Sequence, residues 1–184
     1  MSVWQVDELA VTIGSHRVVE GLSYAVEAGE CLALIGESGS GKTQSCLAPF
    51  GLSPGIAEGS ARLLDVELVG ADEKIRRLVR GRDAGFIFQQ PLSALTPHLT
   101  IRAQLAEAMG EGADVARLLA ALEEVGIDAP AERLRQFPHQ LSGGQRQRVM
   151  IACALAHRPR LLIADEATAA PDARLRKDGL RLLE

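Results

Sequence analysis

The stretch Gly36-Glu37-Ser38-Gly39-Ser40-Gly41-Lys42-Thr43 decides how the rest of this chain is interpreted. It matches G-x-x-x-x-G-K-[ST], the glycine-rich P-loop whose backbone N–H groups cradle phosphates. The apolar residues 31–35 before it have strand length, and residues 42 to about 50 after it can form a helix. Because strand, glycine loop and helix in this order are the context of a phosphate site, all eight residues are candidate nucleotide-binding residues.

Two side chains of the P-loop carry its predicted chemistry. Lys42 is expected to reach the β- and γ-phosphates of a nucleotide, and the Thr43 hydroxyl is expected to bind Mg²⁺. The glycines of the loop permit backbone conformations that are barred to other residues, so several N–H groups can converge on one phosphate. The motif therefore predicts a nucleoside triphosphate site that includes Mg²⁺.

Length, composition and charge limit the class of protein. The 184 residues suffice for one domain, or one domain with a small lobe, and 47% hydrophobic residues suffice for a core. With 24 acidic and 20 basic side chains the net charge is −4, which gives no electrostatic case for a nucleic-acid partner. No apolar run approaches the ~20 residues of a transmembrane helix, and no secretory signal is expected. Three scattered cysteines suit a reducing cytosol and are expected to be buried thiols.

Apolar patterning predicts a β-rich start and a helical middle. Alternating apolar residues predict short antiparallel strands in residues 3–27, broken by turns at 14–15 and 20–21. Thr100 is expected to cap one helix of the middle segment, and Gly126 is expected to end another. The other expectations are a loop at 51–59, strands at 61–64, 84–88 and 161–164, helices at 72–79, 101–109, 114–125 and 143 to about 157, and a solvated helix face bearing Arg76, Arg77, Arg80 and Arg82.

A second motif is an apolar strand that ends in two carboxylates. Residues 161–164 are Leu-Leu-Ile-Ala, and Asp165 and Glu166 follow them. Such a run fits a parallel strand that is buried on both faces, and ligands of parallel sheets lie beyond the carboxyl ends of the strands. Asp165 is therefore expected to face the P-loop and hold Mg²⁺ through water or Thr43. Glu166 is expected to polarise an attacking water molecule.

The segment Leu141-Ser142-Gly143-Gly144-Gln145-Arg146-Gln147-Arg148 is the most specific motif of the chain. Ser142 is a natural N-cap, and the two glycines leave the first turn of a helix bare, which makes a second anion site. One chain does not normally need two sites for a γ-phosphate. The motif therefore indicates that Ser142, Gly143, Gly144 and Gln145 serve the nucleotide of a neighbouring chain.

The order of these motifs resembles that of nucleotide-binding subunits of ATP-binding cassette (ABC) transporters. In this resemblance residues 36–43 are Walker A, residues 141–145 are the signature and residues 161–165 are Walker B. Gln89 matches the Q-loop glutamine and Asp172 matches the D-loop aspartate. The resemblance implies that ATP and Mg²⁺ are bound, that Gln89 senses and binds Mg²⁺ together with the P-loop threonine and the Walker B aspartate, and that it acts with the carboxylate after Walker B in hydrolysis.

The same resemblance implies the fold. It is an α/β P-loop NTPase (RecA-like) core with an N-terminal antiparallel β subdomain and an inserted α-helical subdomain. Residues 1–91 and 141–184 would form the ATP-binding core with its β subdomain, and residues 92–140 would form the helical subdomain. The chain stops at Glu184, before a strand and a switch histidine that the family places after Walker B. An incomplete core is therefore expected, with an open slot beside strand 31–35 or another segment filling it, and with loss of ATPase competence and aggregation.

Three stretches resemble the peptide and nickel importer branch in particular, namely residues 36–42, 88–97 and 137–144. By resemblance, two such subunits pair head to tail as a homodimer or heterodimer, and each ATP lies between one P-loop and the other chain's Ser142. The helical lobe would dock on ABC permease subunits, which places the chain in the cytoplasm on the inner face of the cell membrane. Closure of the pair on ATP would then power import.

Two residues depart from the family pattern. Ile13 stands where relatives often place an aromatic ring on adenine, and Trp4 or Tyr24 are candidate substitutes. Pro171 replaces a residue of the D-loop. Two alternatives to an importer subunit remain open, namely a soluble ABC-type ATPase without a membrane partner and a truncated, catalytically inactive nucleotide-binding remnant.

Overall fold

The computed structural model of the chain describes residues 2–88 and 94–165. The chain forms two compact units, residues 1–84 and 85–184, which are described in turn. Gln89, Glu166, Pro171 and Asp172 lie outside the described residues. The subdomain boundaries at residues 91 and 140 stay a prediction.

A four-stranded antiparallel sheet builds the first unit. Its strands are β1 (Ser2–Ile13), β2 (His16–Glu27), β3 (Ile56–Leu63) and β4 (Val66–Glu67), and their spatial order is β2–β1–β3–β4. The turn predicted at Gly14-Ser15 joins β1 to β2, and Gly14 takes the left-handed conformation at φ 60°. The N-terminal antiparallel β subdomain is therefore confirmed.

Two details of this sheet correct the sequence-based prediction. The turn predicted at residues 20–21 is wrong, because β2 continues through them. Between the cross-strand pairs made by Leu9 and Val11, β2 takes three steps where β1 takes two, so the extra residue is absorbed as a β-bulge. The predicted loop at 51–59 is wrong for its last four residues, since β3 begins at Ile56, which pairs with β1.

Two helices complete the first unit, α1 (Lys42–Leu47) and α2 (Glu73–Arg82). Helix α1 contacts β1 and β2 and ends earlier than predicted. Gly51, at φ 68°, turns the chain after it, and the preceding Phe50 is completely buried. The ring of Phe50 stacks on Trp4 with centroids 5.2 Å apart. The early end of α1 therefore places an aromatic side chain in the core of this unit.

The solvated face predicted for α2 is wrong for two of its four arginines. Arg76 Nε donates a hydrogen bond to the Leu68 carbonyl at 3.3 Å, and Arg80 Nη1 donates to the Phe50 carbonyl at 2.8 Å. Arg80 also forms an ion pair with Glu73. These arginines attach α2 to the loops of the first unit, because buried carbonyl groups need donors when no strand or helix supplies them.

The second unit combines a two-stranded sheet with helices. Strand β5 (Ala84–Ile87) is the hydrogen-bonded neighbour of β6 (Leu161–Ala164). The helices are α3 (Ile101–Met109), α4 (Val115–Glu124), α5 (Pro130–Arg133) and α6 (Gly143–Leu155), with a 3-10 turn at Pro138–Gln140. One apolar core joins them, in which Ile87, Leu105, Leu122 and Val149 are at most 1% exposed. The helical insertion and the signature helix α6 therefore share a core.

Local capping explains where the helices of the insertion begin and end. The Thr100 hydroxyl oxygen accepts a hydrogen bond from the Ala103 N–H at 3.3 Å, and the Asp114 carboxylate accepts one from the Arg117 N–H at 2.8 Å. Gly126 takes φ 70° immediately after α4. The predicted helices at 101–109 and 114–125 are confirmed.

The strand predicted at residues 31–35 is wrong. These residues form no strand, and Leu32 and Ile35 are 42% and 93% exposed. A strand needs hydrogen-bonding partners on a neighbouring strand, and residues 31–35 pair with no strand within residues 2–88 and 94–165. Strand β6 forms as predicted but is not buried on both faces, since its first three residues are half-buried and Ala164 is exposed.

The sequence predicted that all three cysteines are buried thiols. Cys31 is exposed, which contradicts the prediction of three buried thiols. Cys153 lies against the core of the second unit, and burial raises the pKa of its thiol to about 12.

Within the described part of the chain, no helix has the length and apolar content that a membrane crossing requires.

Candidate functional site

The P-loop wraps around the ammonium group of Lys42. This group donates hydrogen bonds to the carbonyl oxygens of Gly36 at 2.8 Å and Glu37 at 2.7 Å, and to the hydroxyl of Ser40 at 3.3 Å. The Ser40 N–H in turn donates to the Glu37 carbonyl, which closes the loop into a tight turn. The three donors of the lysine thus match three oxygens of its own loop, and they hold a positive charge at its centre.

The loop's tight course depends on Gly41. Gly41 takes φ 87° directly before α1, and its carbonyl accepts the Ser45 N–H at 2.8 Å. A Cβ atom on Gly41 would lie 2.4 Å from the Val18 carbonyl oxygen and 2.8 Å from a methyl group of Val19. Any side chain would therefore push the P-loop away from β2. Gly39, at φ 83°, also needs glycine's freedom, but it faces open space.

Three residues of the first unit were considered from the sequence for contact with a nucleotide base, namely Ile13, Trp4 and Tyr24. Ile13 is half-exposed at the β1–β2 hairpin, where it pairs with His16. Trp4 is excluded, because it is 3% exposed and stacks on Phe50 in the core. Trp4 Nε1 also donates a hydrogen bond to the hydroxyl of Tyr24, and burial raises the pKa of Tyr24 to about 12. The two aromatic residues thus hold each other within the fold.

The first turn of α6 has the geometry predicted for the signature motif. Ser142 Oγ accepts from the Gln145 N–H at 3.2 Å, and the Gln145 side-chain oxygen accepts from the Ser142 N–H at 3.0 Å. This reciprocal cap leaves the Ser142 O–H able to donate. The N–H groups of Gly143 and Gly144 have no acceptor among the described residues. Three donors are therefore available at the positive end of a helix dipole.

Asp165 continues the pairing of β6 with β5. Its N–H donates to the Ile87 carbonyl at 2.9 Å, so the ladder extends one residue beyond β6. Gly85 permits this close arrangement, since a Cβ atom there would lie 2.5 Å from the Ala154 carbonyl and 3.0 Å from Leu162. The half-buried Asp165 is thereby fixed at the carboxyl end of β6, where the sequence predicted a carboxylate.

The predicted site residues fall in both units. Residues 36–43 belong to the first unit, and residues 142–145 and Asp165 belong to the second. Gln89 and Glu166 lie outside the described residues. The roles of all these residues in binding and hydrolysis stay predictions.

The structure also identifies contacts that the sequence did not indicate. Val18 bounds the P-loop through its backbone carbonyl, which no side-chain pattern reports. The buried Gln104 donates to the carbonyls of Thr96 and Leu99, and it accepts from the Thr96 N–H. A polar residue on the apolar face of α3 was the available signal for that contact.

Residues 19–169 match the sequence family described as ABC transporter. The chain is 44% identical over 193 residues to the oligopeptide transport ATP-binding protein OppD of Mycobacterium tuberculosis, which covers 98% of this chain and 32% of that protein. It is 42% identical over 196 residues to the dipeptide transport ATP-binding protein DppD of Haemophilus influenzae, which covers 100% of this chain and 59% of that protein. The chain therefore spans less than two thirds of the length of either relative.

Solved structures of ABC cassettes resemble the chain as well. A dimeric bacterial ABC transporter cassette superposes with a TM-score of 0.84 at 26% identity, covering 98% of this chain and 81% of that one. A dimeric ATP-binding cassette in a post-hydrolysis state, bound to ADP and Pi, superposes with a TM-score of 0.83 at 26% identity, with the same coverage. The predicted α/β P-loop NTPase fold is confirmed. The chain belongs to the ABC transporter family.

Proposed function

We propose that the chain is the ATP-binding and ATP-hydrolysing subunit of an ABC importer, and that the imported substrate is a peptide. One observation carries the nucleotide part of this proposal, namely the ring of P-loop oxygens around Lys42. A cation held there by neutral oxygens can exchange them for phosphate oxygens, which carry full charge and make stronger hydrogen bonds. The names of the OppD and DppD relatives support peptides, in preference to nickel, as the cargo.

The residues present fit a Mg²⁺ ion. A threonine hydroxyl at Thr43 and a carboxylate at Asp165 are hard oxygen donors, which Mg²⁺ prefers, and the side-chain oxygen of Gln89 would complete the protein's share. When bound, the ion would neutralise charge on the phosphate groups. Glu166 would orient and polarise the attacking water. These assignments are proposals that rest on the sequence motifs and on the family of the chain.

The first turn of α6 supports a role for a second subunit. The amides of Gly143 and Gly144, which have no acceptor within residues 2–88 and 94–165, and the Ser142 hydroxyl form a donor set that suits a γ-phosphate. We propose that this set completes the ATP site of a partner subunit in a homodimer or heterodimer, with Gln145 holding the cap in place. The solved relatives are described as dimeric, which is consistent with this arrangement.

The proposed setting follows from the same family. The subunit would bind ABC permease subunits in the membrane and would lie in the cytoplasm on the inner face. Co-expression with a permease pair of the peptide importer type tests this setting. Recovery of a complex that imports a labelled peptide only when ATP is supplied is the expected result. A chain that never associates with such permeases would support a soluble ATPase.

The nucleotide proposal is tested with Lys42→Ala and a matched control. Lys74→Ala removes the same charge from α2, where the structure shows no hydrogen bond or ion pair of Lys74 with a described residue. Charge-assisted hydrogen bonds are worth ~1.5–3 kcal/mol each, so losing one weakens ATP binding by about tenfold or more. Titration calorimetry with MgATP should show this loss for Lys42→Ala only. Equal affinity of the wild type and Lys42→Ala would refute the proposal.

A further inference from the structure

We infer that Arg148 is a positioning residue that couples the signature turn of α6 to the end of helix α4. Its Nη1 nitrogen donates to the carbonyl oxygens of both Val125 and Gly126, at 2.9 Å each. Both carbonyls lie at the C-terminal end of α4, where the helix dipole concentrates negative charge and favours a cation. One guanidinium group therefore joins α6 to two residues that precede Arg148 by 22 and 23 positions in the sequence.

The end of α4 is shaped to receive this side chain. The Gly126 N–H donates to the Glu123 carbonyl at 2.8 Å, and the Ile127 N–H donates to the Leu122 carbonyl at 2.9 Å. This double pattern, with Gly126 at φ 70°, is the Schellman end of a helix. A Cβ atom on Gly126 would lie 2.3 Å from Arg148 Nη1. The position thus needs glycine both for its backbone conformation and for the space that the arginine occupies.

The position of Arg148 along α6 connects this contact to the signature turn. Arg148 lies six residues after Ser142, which is about one and two-thirds turns of an α-helix. Apolar packing of Val149 and Met150 in the shared core buries this helix but carries little directional information. Two hydrogen bonds from one guanidinium nitrogen to fixed carbonyl groups are directional. They set the rotation of α6, and thereby the direction of the donors in its first turn.

The functional side of this inference rests on the proposed function, in which the first turn of α6 binds the nucleotide of a partner subunit. A shift of α4 would be transmitted through Arg148 to those donors. Nucleotide binding by the P-loop of the same chain should not require Arg148, because the oxygens that surround Lys42 all belong to the P-loop itself. Arg148 should therefore affect ATP-dependent pairing and leave the affinity of a single chain for MgATP unchanged.

The test compares three substitutions in a Glu166→Gln background, which is expected to trap the ATP-bound dimer. Arg148→Met removes both hydrogen bonds, Arg148→Lys keeps a cation on a shorter side chain, and Arg146→Met is the matched control. The Arg146 side chain has no hydrogen bond or ion pair with a described residue. Sedimentation velocity with and without MgATP measures pairing, and fluorescent ATP titration under dilute conditions measures the affinity of the single chain.

We expect Arg148→Met to weaken ATP-dependent pairing tenfold or more, with ATP affinity within twofold, and Arg148→Lys to restore part of the pairing. Arg146→Met should behave like the parent. Pairing of Arg148→Met at the parent level would overturn the inference, as would an equal loss of pairing and ATP affinity.

A second measurement separates this inference from the proposed function. Hydrogen exchange of the segment 143–148 should be faster in Arg148→Met than in Arg146→Met, whether or not the parent chain binds ATP. If the parent neither binds ATP nor pairs, the proposed function fails and the exchange result alone decides the positioning role. Unchanged exchange in Arg148→Met would then refute it.

Discussion

The backbone carbonyl oxygen of Val18 lies 2.4 Å from the position that a Cβ atom on Gly41 would occupy. The P-loop is therefore held against strand β2 by a contact that only glycine permits. The same residue also takes φ 87°, so its requirement for glycine has two separable parts, a backbone conformation and a close approach. Gly39, with φ 83° and open space around it, shares only the first part.

Replacing each of these glycines by alanine separates the two parts. Gly39→Ala should cost about 1 kcal/mol of unfolding free energy, from the left-handed backbone alone. Gly41→Ala should cost about 1–3 kcal/mol more, because the methyl group must displace the backbone of β2. Denaturant unfolding followed by the fluorescence of Trp4, the chain's single tryptophan in the same compact unit, measures both. Equal losses for the two variants would show that the contact with Val18 has no energetic weight.

The contrast between these glycines also shows which structural features can be predicted from the sequence alone. The helix starts at Thr100 and Ser142 and the helix end at Gly126 could be predicted, because a cap depends on residues within one turn of the chain. The backbone contact between Val18 and Gly41 could not, since it joins segments far apart in the chain.

The same limit explains the wrong prediction at residues 31–35. Their apolar composition is that of a buried strand, but a strand exists only where a neighbouring strand supplies hydrogen bonds. Composition reports the side chains and does not report the neighbour. The roles of the site residues have a related limit, because the P-loop and the signature turn lie in different compact units.

Gln104 organises the loop that leads into helix α3, and its removal should destabilise the second unit. Its side-chain oxygen accepts from the Thr96 N–H at 2.7 Å, and its nitrogen donates to the carbonyls of Thr96 at 3.1 Å and Leu99 at 3.0 Å. Gln104→Met keeps the volume but leaves these backbone groups unpaired, at a cost of about 1–3 kcal/mol for each group that water cannot reach. A loss of ~2–4 kcal/mol is expected in calorimetric melting, against almost none for the exposed Glu107→Met on the same helix. If Gln104→Met loses no more stability than Glu107→Met, this assignment is contradicted.

Glu67 should make the stability of the first unit depend on pH. Burial alone would raise the pKa of its carboxyl group, but hydrogen bonds lower it below the usual 4.5. The donors are the hydroxyl of Ser60 and the backbone amides of Ala61, Leu68 and Val69. A lowered pKa in the folded state means that this stabilisation is complete above the unfolded pKa and is lost as the pH falls through the folded value.

The predicted loss of stability at low pH is tested with Glu67→Gln, which keeps one acceptor oxygen and has no charge to titrate. Denaturant unfolding from pH 7 down to about pH 3 should show a steeper loss of stability in the wild type than in the variant, with the difference growing as the pH falls through 4.5 and below. Parallel curves would show that the protonation of Glu67 is not linked to folding.

Glu166 is the predicted water-polarising carboxylate, so its amide variant should uncouple binding from hydrolysis. General base catalysis contributes about 10²–10⁴-fold, and Glu166→Gln should slow ATP turnover by that factor while MgATP affinity is retained. The ATP-bound dimer should accumulate and be visible in size-exclusion chromatography. Glu107→Gln on α3 is the charge-matched control. Turnover at the wild-type rate in Glu166→Gln would remove this residue from the mechanism.

The family resemblance predicts that Ile13 lies beside the adenine, and Trp4 is buried in the core, so Ile13 should limit the affinity of the chain for ATP. Stacking of a base on an aromatic side chain is worth ~1–3 kcal/mol, so Ile13→Tyr should tighten ATP binding by about tenfold or more. A tyrosine is also compatible with its strand, since aromatic residues are favoured there. Ile13→Leu, which changes the shape of the side chain without adding a ring, should bind ATP as the wild type does. The gain must depend on the base, so the affinity for inorganic triphosphate should be the same in all three proteins. Tighter binding of triphosphate by Ile13→Tyr, or equal ATP affinities of the tyrosine and leucine variants, would show that the base does not lie against this residue.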